Sequence, residues 1–162
     1  MSSGELKSSA QKVQDFLAQH GQAFQVKQLT SSTRTAAEAA ESIGCSIGQI
    51  AKSLIFKNKK SEEPVLIVAS GSNMVDVRKV EKALGVKLSK PDADYVREHV
   101  GYAIGGVPPV AHKTKLFTVL DPDLKAHDEI WAAAGTPNSM FALKPSDLDA
   151  LTEGQWVELA KG

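Results

Sequence analysis

The sequence predicts a mixed α/β fold, and three observations carry that prediction. Two apolar runs, SLIF at 53–56 and PVLIVAS at 64–70, flank the polar stretch KNKKSEE and read as a central antiparallel hairpin. Segments with helical spacing and cap residues recur on both sides of it. Strict strand–helix–strand alternation fails at the hairpin, which favours a mixed, mostly antiparallel sheet with flanking helices over a doubly wound parallel fold. At 162 residues and 42% hydrophobic, residues 1–162 suit one domain with one core.

The elements follow in order. Residues 5–20 set Leu6, Val13, Phe16 and Leu17 on one helical face, and Gly21 suits the position after the C-cap. AFQVKQL at 23–29 alternates like a strand. TAAEAAESIG at 35–44 opens as a capping box from Thr35 to Glu38 and closes on Gly44; SIGQ at 46–49 repeats the pattern on a smaller scale. After the hairpin, NMVDVRKVEKALG at 73–85 is an amphipathic helix with Val77, Val80 and Leu84 inward, and ADYVREHV at 93–100 is a shorter one. LFTVLD at 116–121 reads as a strand, DLKAHDEIWAAAG at 123–135 as a helix and SMFALK at 139–144 as a strand. PSDLDAL at 145–151 reads as a helix and QWVEL at 155–159 as a last strand.

Several chemistries are disfavoured. A single cysteine, Cys45, excludes an internal disulfide framework and a multi-cysteine metal site, and its small apolar neighbours suggest a buried structural thiol. His20, His99, His112 and His127 lack paired metal-ligand spacing, so no metal or other cofactor is expected. ASGSNM lacks a nucleophile elbow. The N-terminus lacks the apolar core of a signal peptide and no apolar run approaches about 20 residues, so a cytoplasmic protein without a membrane partner is expected. Charge is balanced at 19 basic and 19 acidic residues. Residues 50–115 nonetheless carry 12 Lys/Arg against 7 Asp/Glu, which suits either a phosphate backbone or an ordinary solvated surface.

Two features stand out. Lys52 lies at the start of an apolar strand, where a long charged side chain must snorkel to water or meet an anion. GYAIGGVPPVAHKTK at 101–115 combines Gly101, Gly105 and Gly106 with Pro108 and Pro109, a bend permissive in geometry and then stiff. Such a bend suits either a tight turn or the presentation of backbone groups to a ligand. It matches neither phosphate-loop fingerprint. His112 lies beside it, where a ligand contact and a structural role are both open.

IAKSLIF at 50–56, GYAIGGVPPVAH at 101–112 and AGTPNSMFALKPSDL at 134–148, together with the RTAAEAAESIGC helix and the VLIVASGSNMVDVRKV unit, resemble in order and spacing the YbaK/ProX family. These are free-standing relatives of the editing domain of bacterial prolyl-tRNA synthetases. The resemblance covers nearly the whole chain. It implies a sheet partly curled around a small pocket. It also implies an aminoacyl-tRNA deacylase that hydrolyses the ester between a wrong, small amino acid and the terminal ribose of tRNA without a covalent nucleophile.

Lys52 matches the family's lysine, and Gly105 and Pro109 match the ends of its Gly-x-x-x-Pro loop. Lys52 is expected to place positive charge near the ester or the terminal phosphate. Gly105 and Gly106 would offer amides to the oxyanion, with Gly106 serving close approach rather than packing, while Pro109 stiffens the bend. In relatives a ribose hydroxyl of the substrate helps activate water. Thr35, Ile50, Leu54, Val107 and Ser139 are the expected lining, with His112 a further candidate for contact with substrate. The implied partners are mischarged tRNA at its acceptor end and an aminoacyl-tRNA synthetase. The alternative is a non-catalytic tRNA-binding or regulatory module of the same fold. GGVPPVAH departs from the commoner Gly-Gly-Val-Ser-Pro-Phe-Gly form at Pro108, Val110 and Ala111, which leaves alanyl, seryl, threonyl, cysteinyl and small non-protein aminoacyl substrates open.

Overall fold

The computed structural model describes residues 8–20, 24–29, 33 and 35–161. In chain order its strands are β1 (Val26–Gln28), β2 (Ile50–Asn58), β3 (Pro64–Ser70), β4 (Leu88–Ser89), β5 (Phe117–Leu120), β6 (Ile130–Ala133), β7 (Ser139–Leu143) and β8 (Gln155–Trp156). All belong to one sheet of order β1-β7-β6-β2-β3-β5-β8, with β4 added to β2. The two apolar runs form the expected hairpin, paired from Ala51↔Ser70 to Lys57↔Pro64. Every residue of β3 from Val65 to Ser70 is buried, which is why consecutive apolar residues are needed there. The sheet is mixed. β1–β7, β2–β3, β2–β4 and β6–β7 are antiparallel, while β2–β6, β3–β5 and β5–β8 are parallel.

The faces of β2 and β3 have different covers. Leu54 and Phe56 join Val65, Ile67, Ala69 and Val119 in a cluster that receives Val80 of α3 (Val77–Leu84). Ala51, Leu66 and Val68 lie on the other face with α1 (Ser8–Ala18), α4 (Ala93–Val100) and the 101–112 bend, through Val13, Leu17, Val96, Tyr102 and Val107. A third cluster holds α2 (Ala36–Ile43) against Ile50, Trp131 and Met140. The expected capping box is present. Thr35 Oγ1 accepts from the Glu38 amide at 3.1 Å, and the Thr35 amide donates to Glu38 Oε1 at 3.3 Å. Gly44 ends the helix at φ +84°. The 145–151 helix is present as α5 (Pro145–Thr152).

Residues 123–135 are not a helix. A 3-10 turn at Pro122–Ala126, capped by Asp121, gives way to β6, whose Ile130, Trp131 and Ala132 are all buried. Burial of consecutive residues suits a strand set between β2 and β7, and that tertiary demand overrides the alanine-rich helical composition. α3 begins at Val77 rather than Asn73, because Val75 bridges Ala160 and Asp76 caps the helix. β4 was not foreseen. Leu6, Gly21 and Ala23 lie outside the described residues. Cys45 is half-buried at the margin of the third cluster, where burial still pushes its thiol above the usual range. No helix among the described residues is long and apolar enough to cross a membrane.

Candidate active site

Lys52 and Ser53 point to opposite faces of β2, as strand alternation requires. Lys52 faces the side of Leu54 and Phe56 and lies opposite Ala69, near the carboxyl end of β3. β3 and β5 run parallel, so their carboxyl ends meet here, the position where open α/β sheets commonly bind ligands. Lys52 Nζ donates to the Asn73 carbonyl oxygen at 2.6 Å. Asn73 Nδ2 donates to Asp121 Oδ2 and Asp123 Oδ2, each at 2.8 Å, and the Ser70 amide donates to Asp121 Oδ2 at 3.0 Å. Ser70 Oγ in turn donates to the Gly48 carbonyl at 2.8 Å. Burial pushes the Lys52 amine below the usual lysine range, and the Asp121 charge opposes that shift. Asp121, only 1% exposed, anchors the group.

One edge of β2 is taken by β3 along its length. The other edge pairs with β6 at Ile50 and Ala51 and with β4 at Lys57 and Asn58. Among the described residues no strand covers the stretch between. A cavity of about 120 Å³ lies there, lined by Ser53, Leu54, Phe56, Ile104, Gly105 and Val107 among others. Ile104 is 58% exposed, an unusual setting for a large apolar side chain, and stands at this rim. Gly105 adopts φ +95°, a conformation that favours glycine. Among the described residues its amide has no hydrogen-bond partner.

Gly106 behaves differently from the expectation. Its amide donates to Ala103 at 3.0 Å and its carbonyl accepts from Gly135 at 2.9 Å, so the amide is already engaged. A Cβ there would lie 2.8 Å from the Thr136 backbone, so the position needs glycine for packing. Ser139 is fully buried, and its Oγ lies 2.6 Å from Thr136 Oγ1 and donates to Ala134 at 3.1 Å. It supports the segment against which the bend rests.

The structure brings Leu54, Gly105 and Val107 together in one cavity, with Gly106 and Ser139 joined behind it through Thr136. Val107 belongs to the buried cluster of Ala51, Leu66 and Val68, on the face opposite Lys52, and Lys52 is not part of the cavity lining, so the lysine and the bend occupy different faces of β2. Thr35 spends its hydroxyl on the α2 cap, and Ile50 is buried against Trp131 and Met140. Pro109 is buried away from the cavity lining. His112 staples its own bend. Its Nε2 lies 2.7 Å from the Pro108 carbonyl oxygen, while Tyr102 OH donates to the Ala111 carbonyl at 2.6 Å. Burial lowers the His112 pKa, against the opposing Pro108 bond, and raises that of Tyr102 to about 12. Sequence reasoning missed Ser53, Asn73 and Asp121. The only advance signal was the pair SGSN and LDPD at two strand ends.

A mixed sheet with a half-buried lysine over parallel strand ends and a glycine bend closing a small edge cavity is the frame of a small α/β domain with a pocket at its sheet edge. The chain belongs to the aminoacyl-tRNA editing domain family, whose model matches residues 30–151. It is 32% identical over 156 residues to the uncharacterised protein YwhH of Bacillus subtilis, covering 94% of this chain and 98% of that protein. It is 30% identical over 128 residues to EbsC of Enterococcus faecalis, provisionally named a Cys-tRNA(Pro)/Cys-tRNA(Cys) deacylase, covering 77% of this chain and 76% of that one. A crystal structure provisionally described as a trans-editing enzyme for prolyl-tRNA synthetase superposes with a TM-score of 0.91 at 43% identity, covering 98% of this chain and 100% of the other.

Proposed function

We propose that residues 1–162 act as one cytoplasmic trans-editing deacylase, hydrolysing the ester that joins a small amino acid to the terminal ribose of a mischarged tRNA. The observation that carries this reading is the uncovered edge of β2 beside Lys52, with a small cavity there that Gly105 helps to close. Water adds to the ester carbonyl, the carbon–oxygen bond to the ribose breaks, and the ribose oxygen leaves with a proton. An activated ester needs orientation and charge stabilisation more than a covalent nucleophile. The Gly105 amide meets the developing oxyanion. Lys52 reaches around the strand edge toward the ester or the terminal phosphate, and a ribose hydroxyl of the substrate helps activate the water. Leu54 and Val107 bound the aminoacyl side chain, so that size is the sieve.

The acceptor stem has a matching surface. Lys90, beside the cavity, continues along the sheet into exposed Lys87, Lys59 and Lys60, with Arg78 and Lys82 of α3 alongside. Such a basic ridge suits a phosphate backbone. A synthetase that releases mischarged tRNA is the natural protein partner. The test is deacylation of a panel of mischarged tRNAs by the wild type and by Lys52→Ala. Turnover that is lost with the lysine supports the reading. Binding without turnover on every substrate would instead define a tRNA-binding module.

A further inference from the structure

Ser53 is a polar residue in a mostly hydrocarbon wall. Its hydroxyl oxygen is buried from solvent and, alone among buried side-chain nitrogen and oxygen atoms of the described residues, has no hydrogen-bond partner. Buried hydroxyls are nearly always partnered, and an exception calls for an explanation. Ser53 lies opposite Val68, which puts its side chain on the face of Val96 and Val107, and all but Val68 line the edge cavity. The remaining walls come from Leu54, Ile55, Phe56, Pro91 and Ile104, with Lys90 and Gly105 lining the same cavity. None of them bonds the Ser53 hydroxyl.

Resting on the deacylase reading above, we propose that Ser53 is a specificity-determining residue. Its hydroxyl meets the side-chain hydroxyl of the aminoacyl group, so that seryl and threonyl esters are preferred over alanyl esters. The chemistry favours this over a contact with the substrate's ammonium group. One neutral hydroxyl can donate to or accept from another and leave a single bond inside an apolar cavity. A charged ammonium brought there would keep most of its donors unpaired. Size agrees as well. A cavity of about 120 Å³ is small and has room for a threonyl side chain. A site that bonds a substrate hydroxyl discriminates strongly against the analogue lacking it, because the site's own polar atom is then left buried and unpaired.

The experiment measures kcat/KM of the wild type and of Ser53→Ala on seryl-, threonyl- and alanyl-tRNA carrying one tRNA body, with the melting temperature of both proteins in parallel. The expected result is a wild-type preference for the hydroxylated esters. The seryl-to-alanyl ratio should fall by about tenfold or more in Ser53→Ala, with no loss of melting temperature, since the substitution removes an unpaired polar atom. A ratio unchanged within about twofold would overturn the assignment of Ser53 while leaving the deacylase reading intact. So would an equal loss on all three esters, which would point to the shared ammonium or to packing. A wild type inert on the whole panel would overturn the deacylase reading itself, and this assignment with it.

Discussion

Lys52 and Ser53 are neighbours in sequence and opposites in circumstance. On the lysine's face, each polar group is tied to another. The amine is bonded to Asn73, the Asn73 amide to Asp121 and Asp123, and Asp121 to the Ser70 backbone. On the serine's face, the hydroxyl has nothing to bond, and a stiff bend closes the space around it. The difference separates two ways of preparing a site. One side is completed by its own network and holds a charge in place. The other is shaped by packing and keeps a hydrogen-bonding capacity for what enters.

The substitution expected to do most harm strikes the packed side. Gly106→Val forces a branched side chain against the Thr136 backbone and should lower stability by about 3 kcal/mol, a fall in melting temperature on the order of 10 °C, with activity lost in parallel. A variant that kept its melting temperature and lost only turnover would show that the bend serves approach after all. Lys52→Ala strikes the other side. It should cut single-turnover deacylation about 100-fold while the melting temperature barely moves, because the lysine's role is charge rather than packing.

Asp121→Ala tests whether the network is what holds the lysine. It leaves the Ser70 amide and Asn73 side chain without their acceptor, at a cost of about 2 kcal/mol in denaturant titration. It also removes the charge that opposes desolvation, so the Lys52 amine should titrate still lower when followed by carbon-13 NMR. An unmoved titration would detach the two residues.

The mildest effect concerns the staple of the bend. Burial holds the His112 pKa in the folded protein below the value of 6.5 for a free histidine. Between the two values the unfolded chain binds more protons than the folded one. The stability His112 lends is therefore full above 6.5 and declines as pH falls through the folded value. Thermal melts between pH 7.5 and 5 should show a loss of a few degrees that His112→Gln abolishes. A parallel loss in both proteins would place the acid sensitivity elsewhere.

What the sequence made legible was local, or set by one repeated pattern. Thr35 and Glu38 sit three residues apart, so their mutual cap is written in the spacing itself. The central hairpin was legible because burial on both faces demands apolar residues in succession. Segment 128–133 was opaque, because its alanines favour a helix and only the neighbouring β2 and β7 make it a strand. Lys52 and Gly105 could be singled out from residue type and position. The bonds that define their surroundings could not, since Asn73 and Asp121 reach the lysine only through the parallel pairing of β3 with β5. Ser53 gave no warning. A serine in an apolar strand becomes informative only when its neighbours are known to offer it nothing.

The bond from Lys52 to Asn73 ends on a main-chain oxygen, not on a carboxylate. A carbonyl dipole can aim an ammonium without neutralising it. The Asp121 charge acts on the ammonium only through space, with Asn73 between them, so the donors of Lys52 not spent on Asn73 are left without a carboxylate partner among the described residues.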